Sequence, residues 1–214
     1  MISTPVQFDA SDLTLINSKI TSPSFTSNNW SDSDLSDLKD KIKTHYLKVQ
    51  GNKCPYCQQI IRSSNGRYWD IEHIISRATQ KNFMFEPQNL CVSCVDCNSR
   101  KSNKKTTTSK ASQNLPTNTK LYLIIHPHFD IYEEHIMTIK AGFYYLSLKP
   151  KGEKTIEICG LNRFYEFAEY NDDVADDDRI FLLSERLVKE QDPKKKLALR
   201  KEIAYLALLC SIES

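Results

Sequence analysis

Four cysteines in this chain can be grouped as two CxxC pairs, a spacing that suits the binding of a metal ion. The first pair is Cys54 and Cys57, and the second comes from the triplet Cys91, Cys94 and Cys97. Two such pairs supply four thiolates, the usual ligand set of a closed, tetrahedral structural zinc site. The chain has seven cysteines, an odd number, and five of them fall in this one segment. We therefore predict metal ligation in preference to disulfides or a redox CxxC.

Side chains that could hydrolyse a phosphodiester bond lie between the cysteine pairs and directly after them. His73 has an ordinary pKa of about 6.5, which suits a general base at cell pH. Asp70 and Glu72 precede it at strand spacing, so both carboxylates would lie on one strand face. Mg²⁺ prefers oxygen ligands, which Glu72 and Asn98 could supply. For Asp70, a ligand role and a structural role remain open.

The basic residues are concentrated around these motifs. Residues 41–110 carry 13 Lys or Arg against four acidic residues, although the whole chain has a net charge of only +2. A local charge of this sign points to a polyanionic partner. A solvated lysine-rich surface is the alternative, but it would not explain the scarcity of acidic residues in the same segment. Arg100, Lys101, Lys104 and Lys105 are candidate contacts to nucleic acid phosphates.

The N-terminal 50 residues are predicted to form an arm followed by one helix. Residues 1–30 hold 13 Ser, Thr or Asn residues among apolar ones, so we expect little regular structure and docking on the body or on a partner. The stretch SDSDLSDLKDKIKTHYLKV has polar capping residues at its start and an apolar stripe, which predicts a helix. The stripe consists of Leu35, Leu38, Ile42, Tyr46 and Val49.

The C-terminal part is predicted to combine strands with helices. Leu121 to Ile125 is an apolar strand candidate, and FYYLSLKPKGEKTIEIC has the pattern of a β-hairpin with its turn at KPKG. The chain from Leu161 onwards has a helical pattern. One helix is expected to start at NDDVADDD and the last to begin at Pro193.

Three histidines in this region could be interpreted as a second metal site. His126 and His128 alternate along a candidate strand, with Asp130 and His135 close by in sequence. Pro127 disturbs that strand, and ordinary packing explains the segment equally well. We therefore do not predict a metal ion there.

The ordered motifs resemble the HNH endonucleases, a family with a ββα-metal fold stiffened by a four-cysteine zinc site. The resemblance covers about 50 residues, from the first CxxC pair to the basic residues after the second. It is carried by CPYC at 54–57, EHII at 72–75, NL at 89–90, CVDCN at 94–98 and Lys101. Its register implies that Cys91 is a buried free thiol in a strand. The implied zinc ligands are Cys54, Cys57, Cys94 and Cys97.

The same resemblance implies a role for each residue of the candidate site. His73 would be the general base, and Asn89 would hold the metal loop and orient that histidine. Glu72 and Asn98 would bind a catalytic divalent ion, Mg²⁺ or Mn²⁺, with Asp70 as a candidate further ligand. Because Asn98 directly follows the second cysteine pair, the structural zinc would also position a ligand of the catalytic ion.

A weaker resemblance links the region after this module to nucleases that are paired with ATPases in bacterial anti-phage systems of the Septu and retron-associated type. It rests on scattered residues in HPHFDIYEEHI and GEKTIEICGLNR. It implies that the helical C-terminal region docks an ATPase subunit that holds the nuclease in check.

Together these patterns predict an α+β protein in three parts. Residues 1–50 form the N-terminal arm and helix, residues 51–110 the zinc-containing ββα-metal HNH nuclease module, and residues 120–214 an accessory hairpin and helical region. The predicted function is metal-dependent cleavage of nucleic acid, with double-stranded DNA as the favoured substrate. The protein would be the effector nuclease of an anti-phage defence system.

Other functions stay open at this point. A zinc-dependent nucleic-acid-binding or interaction subunit would bind without turnover, and a nuclease of the same fold could cleave RNA such as tRNA. The chain has no apolar run long enough to span a membrane and no secretory pattern at its start. We therefore expect a cytoplasmic protein without membrane contact.

Overall fold

Two compact units make up the part of the chain that the structure describes. The computed structural model describes residues 1–63, 66–167 and 172–212. The units are Met1–Tyr132 and Glu133–Ser214, and each contains a two-stranded antiparallel sheet with helices, which confirms the α+β class. The regular elements are α1 (Ala10–Ile20), α2 (Ser36–Gln50), β1 (Trp69–His73), β2 (Leu90–Cys94), α3 (Val95–Lys101), β3 (Ile136–Lys140), β4 (Tyr144–Ser147), α4 (Pro150–Cys159), α5 (Arg163–Phe167), α6 (Asp172–Lys189) and α7 (Pro193–Ile212).

The N-terminal arm contains the regular helix α1, so the prediction of an irregular arm was wrong. The Asp9 side chain accepts hydrogen bonds from the backbone N–H groups of Ser11 and Asp12, and the Asp12 carboxylate accepts from the N–H of Asp9, all at 3.0 Å. This reciprocal capping box satisfies amides that are otherwise free at a helix start. Some apolar side chains of the arm are buried, namely Ile2, Val6, Ile16 and Phe25, whereas Leu13 and Ile20 are exposed.

Helix α2 forms within the predicted stretch and packs against the first sheet, but it begins only at Ser36, after a 3₁₀ turn at Ser33–Leu35 and without the predicted polar cap. Its side chains Leu38, Ile42 and Tyr46 are buried, whereas Val49 is exposed. Gly51 follows the helix with a φ of 60°, the left-handed conformation that glycine adopts without a steric penalty.

Polar side chains on α2 fasten it to the sheet and to the loop before β2. The Gln50 amide accepts from the N–H of Val92 at 2.9 Å and donates to the carbonyl of Val92 at 2.7 Å. The Tyr46 hydroxyl donates to the carbonyl of Pro87 at 2.6 Å and accepts from the N–H of Val6 at 3.2 Å. These bonds hold the helix and the hairpin in one register.

The first sheet is a hairpin that leads directly into α3. β1 and β2 pair antiparallel, with Glu72 opposite Cys91. Because successive side chains point to opposite faces of a strand, Asp70 and Glu72 share one face. β2 ends at Cys94, which is also the N-cap residue of α3. The predicted ββα arrangement is therefore present.

The second unit contains a hairpin, but its turn lies earlier than predicted. β3 and β4 are joined at residues 141–143, where Gly142 has a φ of 85°. The stretch KPKGEKTIEIC was expected to hold the turn and a strand, and it forms α4 instead. Pro150 begins this helix and Gly160 ends it, both typical positions. The spacing of its buried side chains is helical: Thr155, Ile158 and Cys159.

The strand predicted from Leu121 to Ile125 is also not a regular strand. A 3₁₀ turn covers Thr119–Leu121, and Tyr122 makes only an isolated bridge to Thr107. The apolar character of the segment is explained by burial, since Ile124 and Ile125 belong to the core.

The two C-terminal helices were predicted and form the core of the second unit with its sheet. α6 begins at Asp172 and α7 at Pro193, and Asn171 of the predicted start lies outside the described residues. Neither these nor the other helices of the described ranges have the length and apolar content to cross a membrane. The buried core of this unit comprises Met137, Tyr144, Leu146, Leu183, Leu199 and Leu206.

The contact of α4 with the residues at the start of β3 leaves no room for a side chain at Gly152. A Cβ atom built there would lie 2.0 Å from the carbonyl oxygen of His135. We expect Gly152→Ala to lower the free energy of unfolding by about 1–3 kcal/mol, as overpacking of a core usually does. Urea unfolding followed by circular dichroism measures this change.

Gly66→Ala is the matched control, because a Cβ there would meet only the flexible end of Lys43, at 3.6 Å. We expect its urea midpoint to stay near that of the wild type. Equal midpoints for the Gly152 and Gly66 variants would contradict the close approach of α4.

Candidate functional site

Four buried cysteine side chains converge where the hairpin meets α3. All four Sγ atoms lie within 4.8 Å of one another. The Sγ atoms of Cys57 and Cys94 are 3.7 Å apart, which matches the edge of about 3.8 Å in a tetrahedron with Zn–S bonds of about 2.3 Å. The donor set therefore fits a closed zinc site. Its members are those predicted: Cys54, Cys57, Cys94 and Cys97.

The thiols of this cluster perturb one another strongly. Burial raises the pKa of Cys54, whereas the hydrogen bond with Cys54 holds the pKa of Cys94 far below its usual range. Four adjacent buried thiolates would repel one another, so a divalent cation is needed to keep all of them ionised. Cys91 is buried in β2 and is not a member of the cluster.

The cluster positions Asn98, the residue that follows Cys97 on α3. The Asn98 side-chain amide donates to Oδ2 of Asp70 on β1 at 2.8 Å. Both residues line a cleft of about 700 Å³, together with Glu72 and His73. The structure thus brings the predicted metal-binding oxygens and the predicted base to one place.

Glu72 lines this cleft but is almost fully buried, and a buried lysine neutralises it. Its Oε1 accepts from Nζ of Lys101 at 2.6 Å and from the hydroxyl of Tyr56 at 3.2 Å. Burial raises the pKa of Glu72, and the charge of Lys101 opposes that shift. In the described part of the chain Oε2 makes no hydrogen bond, so this oxygen is available to a metal ion.

His73 is a neutral imidazole with one ring nitrogen available as a base. Its Nε2 lies 3.1 Å from the carbonyl oxygen of Met84. A carbonyl oxygen can only accept, so Nε2 carries the hydrogen and Nδ1 keeps its lone pair. Burial, assisted by the charge of Arg77, lowers the pKa of His73 to about 3. At neutral pH the imidazole is therefore unprotonated, as a general base must be.

Residues before the first CxxC pair form one side of the cleft. The indole ring of Trp30 packs edge-on against His73, with 4.5 Å between the ring centroids and 83° between the planes. Ser27 and Asn28 line the cleft beside it. As a result His73 is only 6% exposed.

Asn89 is fully buried and bonds three backbone groups. Its Oδ1 accepts from the N–H of Ile75 at 2.8 Å, and its Nδ2 donates to the carbonyls of Ile75 at 3.1 Å and Phe83 at 2.9 Å. These bonds tie the chain after β1 to the segment that carries Met84, whose carbonyl holds His73. Asn89 thus reaches the histidine through the backbone, and its role in orienting the base stays a prediction.

The predicted nucleic-acid contacts lie in two different environments. Lys101 is 1% exposed, and its ammonium group donates to the carbonyl of His73 at 2.9 Å as well as to Glu72. It is therefore held inside the protein in this conformation. Arg100 is half-buried and Lys104 and Lys105 are exposed.

Two of the histidines considered for a second metal site lie at positions where hydrogen bonds hold this segment. Nε2 of His128 donates to the carbonyl of Leu90 at 2.7 Å, at the start of β2. The N–H of His126 donates to the Asp130 carboxylate at 2.8 Å. These bonds fix the segment beside the hairpin.

Sequence reasoning missed several residues of the site. Tyr56 lies inside the first CxxC pair, so its position beside the zinc turn could have indicated proximity to the hairpin. Trp30, Lys39 and Arg77 also line or border the cleft. No local pattern marks Trp30 or Lys39, because only the tertiary fold brings the N-terminal region to His73.

Comparison with known proteins identifies the family of the segment that contains the cysteine cluster. Residues 54–104 match the family model for HNH endonuclease, and this segment is therefore an HNH endonuclease domain. A similar protein is the Septu protein PtuB of Bacillus thuringiensis, 29% identical over 126 residues, which cover 58% of this chain and 42% of that protein. The chain thus matches less than half of the length of this relative. It supports the predicted resemblance to Septu-type defence proteins, and no solved structure matched.

The cysteine cluster makes a direct prediction about zinc content. Cys94→Ser removes a thiolate ligand, so we expect bound zinc to fall from about one ion per chain to nearly none and the first unit to unfold at a lower temperature. Metal analysis of the purified protein and a thermal scan measure both effects.

Cys91→Ala is the control, because Cys91 is equally buried but lies outside the cluster. We expect this variant to keep about one zinc ion per chain. Loss of zinc from the Cys91 variant, or full retention by the Cys94 variant, would refute the ligand assignment.

Proposed function

We propose that this protein is a metal-dependent endonuclease that hydrolyses phosphodiester bonds of double-stranded DNA in anti-phage defence. The observation that carries the proposal is a neutral His73 beside Asp70, Glu72 and Asn98 in one cleft. The HNH endonuclease domain at residues 54–104 and the similarity to a Septu protein support it.

His73 acts as the general base through Nδ1. It takes a proton from a water molecule whose oxygen attacks the phosphorus atom, and the bond from phosphorus to the leaving sugar oxygen breaks. The hydrogen bond from Nε2 to the Met84 carbonyl fixes the ring orientation and favours the imidazolium that forms.

Asp70, Glu72 and Asn98 are the residues that would hold Mg²⁺ or Mn²⁺. Their carboxylate and amide oxygens are the donors that hard cations prefer, and the Asp70–Asn98 hydrogen bond of 2.8 Å shows that both side chains reach one point of the cleft. A flip of the Asn98 amide would turn its oxygen towards that point. The bound ion would neutralise charge on the phosphate and stabilise the leaving oxygen.

The charge of the module favours the nucleic acid backbone as its ligand. The excess of basic residues in 41–110 matches the phosphates of a duplex. Arg100, Lys104 and Lys105 follow the helix that carries Asn98, so they would contact phosphates next to the one that is cleaved. Such contacts sense charge and position, which predicts little sequence preference.

The second unit is proposed to dock an ATPase subunit that controls the nuclease. Helices α6 and α7 display large apolar side chains that are more than half exposed, and such residues suit a protein interface. They are Phe181, Val188, Leu197 and Tyr205.

The role of His73 is tested by nicking of supercoiled plasmid with Mg²⁺ or Mn²⁺. We expect His73→Ala to lower the cleavage rate by about 100- to 10,000-fold, the usual contribution of a general base, with zinc content unchanged. His45→Ala is the matched control. His45 lies on α2, where its Nε2 is 2.9 Å from the carbonyl oxygen of Thr4, so we expect this variant to cleave at the wild-type rate.

Equal rates for the wild type and the His73 variant would refute the base assignment. Cleavage of tRNA with plasmid left intact would keep the mechanism and overturn DNA as the substrate. Duplex binding without cleavage in any divalent metal would indicate a binding module.

The docking proposal is tested with the double variant Phe181→Asp, Val188→Asp. Charges in an apolar interface are costly to desolvate, so we expect at least a tenfold loss of co-purification with a co-expressed ATPase subunit. Glu185→Gln on the same helix is the control. Retention of the complex by the double variant, with an unchanged urea midpoint, would refute this surface.

A further inference from the structure

The 3₁₀ turn Ser27–Ser31 covers the candidate base. Trp30 packs on His73, and Ser27 and Asn28 line the same cleft. With His73 only 6% exposed, a phosphate group and an attacking water have little access to its imidazole. Cleavage by the proposed mechanism requires that access, so the turn has to move or the histidine cannot act.

Two cationic side chains that line the cleft hold this turn in place. Nη1 of Arg77 donates to the carbonyl of Ser27 at 2.5 Å, and Nζ of Lys39 donates to the carbonyl of Trp30 at 3.2 Å. Within the described part of the chain neither cation forms an ion pair with a carboxylate. Each cation therefore binds the turn through a neutral carbonyl oxygen, and the charge of Lys39 also interacts with the nearby Asp32 carboxylate.

The same arrangement recurs at the edges of the turn and of the cleft. Nζ of Lys81 donates to the carbonyl of Phe25 at 2.5 Å, and Nζ of Lys43 donates to the carbonyl of Gly66 at 2.7 Å. Cations that bind backbone carbonyls keep most of their charge available. A phosphate oxygen carries a full negative charge and forms a stronger bond with such donors than a carbonyl does.

The ends of the turn are anchored by other contacts, so the turn can move without loss of the fold. Phe25 is buried before it, and Leu35 is fully buried after it. Asp32 pairs with Lys19 at 2.7 Å. The turn itself is only five residues long and is polar apart from Trp30.

We propose that Lys39 and Arg77 form a binding site for nucleic acid phosphates, and that the carbonyls of Ser27 and Trp30 occupy it until substrate displaces the Ser27–Ser31 turn from His73. The inference rests on the proposed function, because it names the part of the cleft that receives the backbone. Substrate binding thereby uncovers the base, and the free enzyme keeps it covered.

Hydrogen–deuterium exchange measured by mass spectrometry tests this movement. The probe is a 20-base-pair duplex added to zinc-loaded protein without Mg²⁺ or Mn²⁺. We expect the peptide that covers the Ser27–Ser31 turn to exchange at least threefold faster with the duplex, while β1 exchanges more slowly. A bound ligand usually slows exchange where it contacts the protein, so acceleration at the turn is specific to release.

The double variant Lys39→Gln, Arg77→Gln tests the phosphate contacts. We expect faster exchange at the turn even without duplex, and a slope of log affinity against log salt that is smaller by about 2, since each phosphate contact contributes about 0.9. Lys48→Gln, Lys53→Gln removes the same charge outside the cleft and should leave the exchange at the turn unchanged.

The outcomes separate this inference from the proposed function. If the duplex binds but exchange at the turn is unchanged or slower, the inference alone is overturned. It is also overturned if both double variants reduce the slope of log affinity against log salt by the same amount. No binding of the duplex at any salt concentration overturns the DNA substrate and the inference together. If the Lys39→Gln, Arg77→Gln variant loses its zinc, the inference is tested by the exchange of the wild-type protein with and without duplex.

Discussion

The candidate site depends on the cluster of four cysteines. It joins two chain segments 37 residues apart, which would otherwise have to be brought together at the full cost of loop closure. It also supports α3, which has only seven residues and would not be stable as an isolated helix. Since α3 carries Asn98, a zinc ion bound by these cysteines would set the position of the amide oxygen that is proposed to bind the catalytic ion.

A second constraint is the buried ion pair between Lys101 and Glu72. Removing one partner of such a pair typically costs about 3–5 kcal/mol, because the other charge is left without compensation. Lys101 also holds the backbone of His73, so α3 is tied to two successive residues of β1. With the bond between Asn98 and Asp70, these ties fix the carboxylates before any ligand arrives. Each of these contacts joins residues that are fewer than 30 positions apart in the sequence.

The same locality explains what the sequence could predict. Residue type and short spacing define the predicted zinc ligands, the predicted base and the hairpin. Their motifs were therefore enough to identify the HNH module from the sequence. The capping box of α1 lies in a stretch rich in Ser, Thr and Asn, which favoured irregular structure. The alternating pattern of TIEIC is typical of a strand, although α4 buries its side chains at helical spacing. Lys101 was predicted to contact phosphates at the surface, because Glu72, its partner in the ion pair, was predicted only as a metal ligand. The contact of Trp30 with His73 could not be predicted, because no sequence pattern around Trp30 indicates that the fold brings it to the histidine.

The contact of Gln50 with β2 has a consequence for solubility. A two-stranded sheet has two open edges, and an unpaired edge can recruit a strand from another molecule. The side-chain amide of Gln50 bonds both backbone groups of Val92, as a neighbouring strand would. One glutamine thus closes that stretch of the edge at the strand that leads into the zinc cluster. Intermolecular strand addition, and the aggregation that follows from it, is blocked there without a third strand.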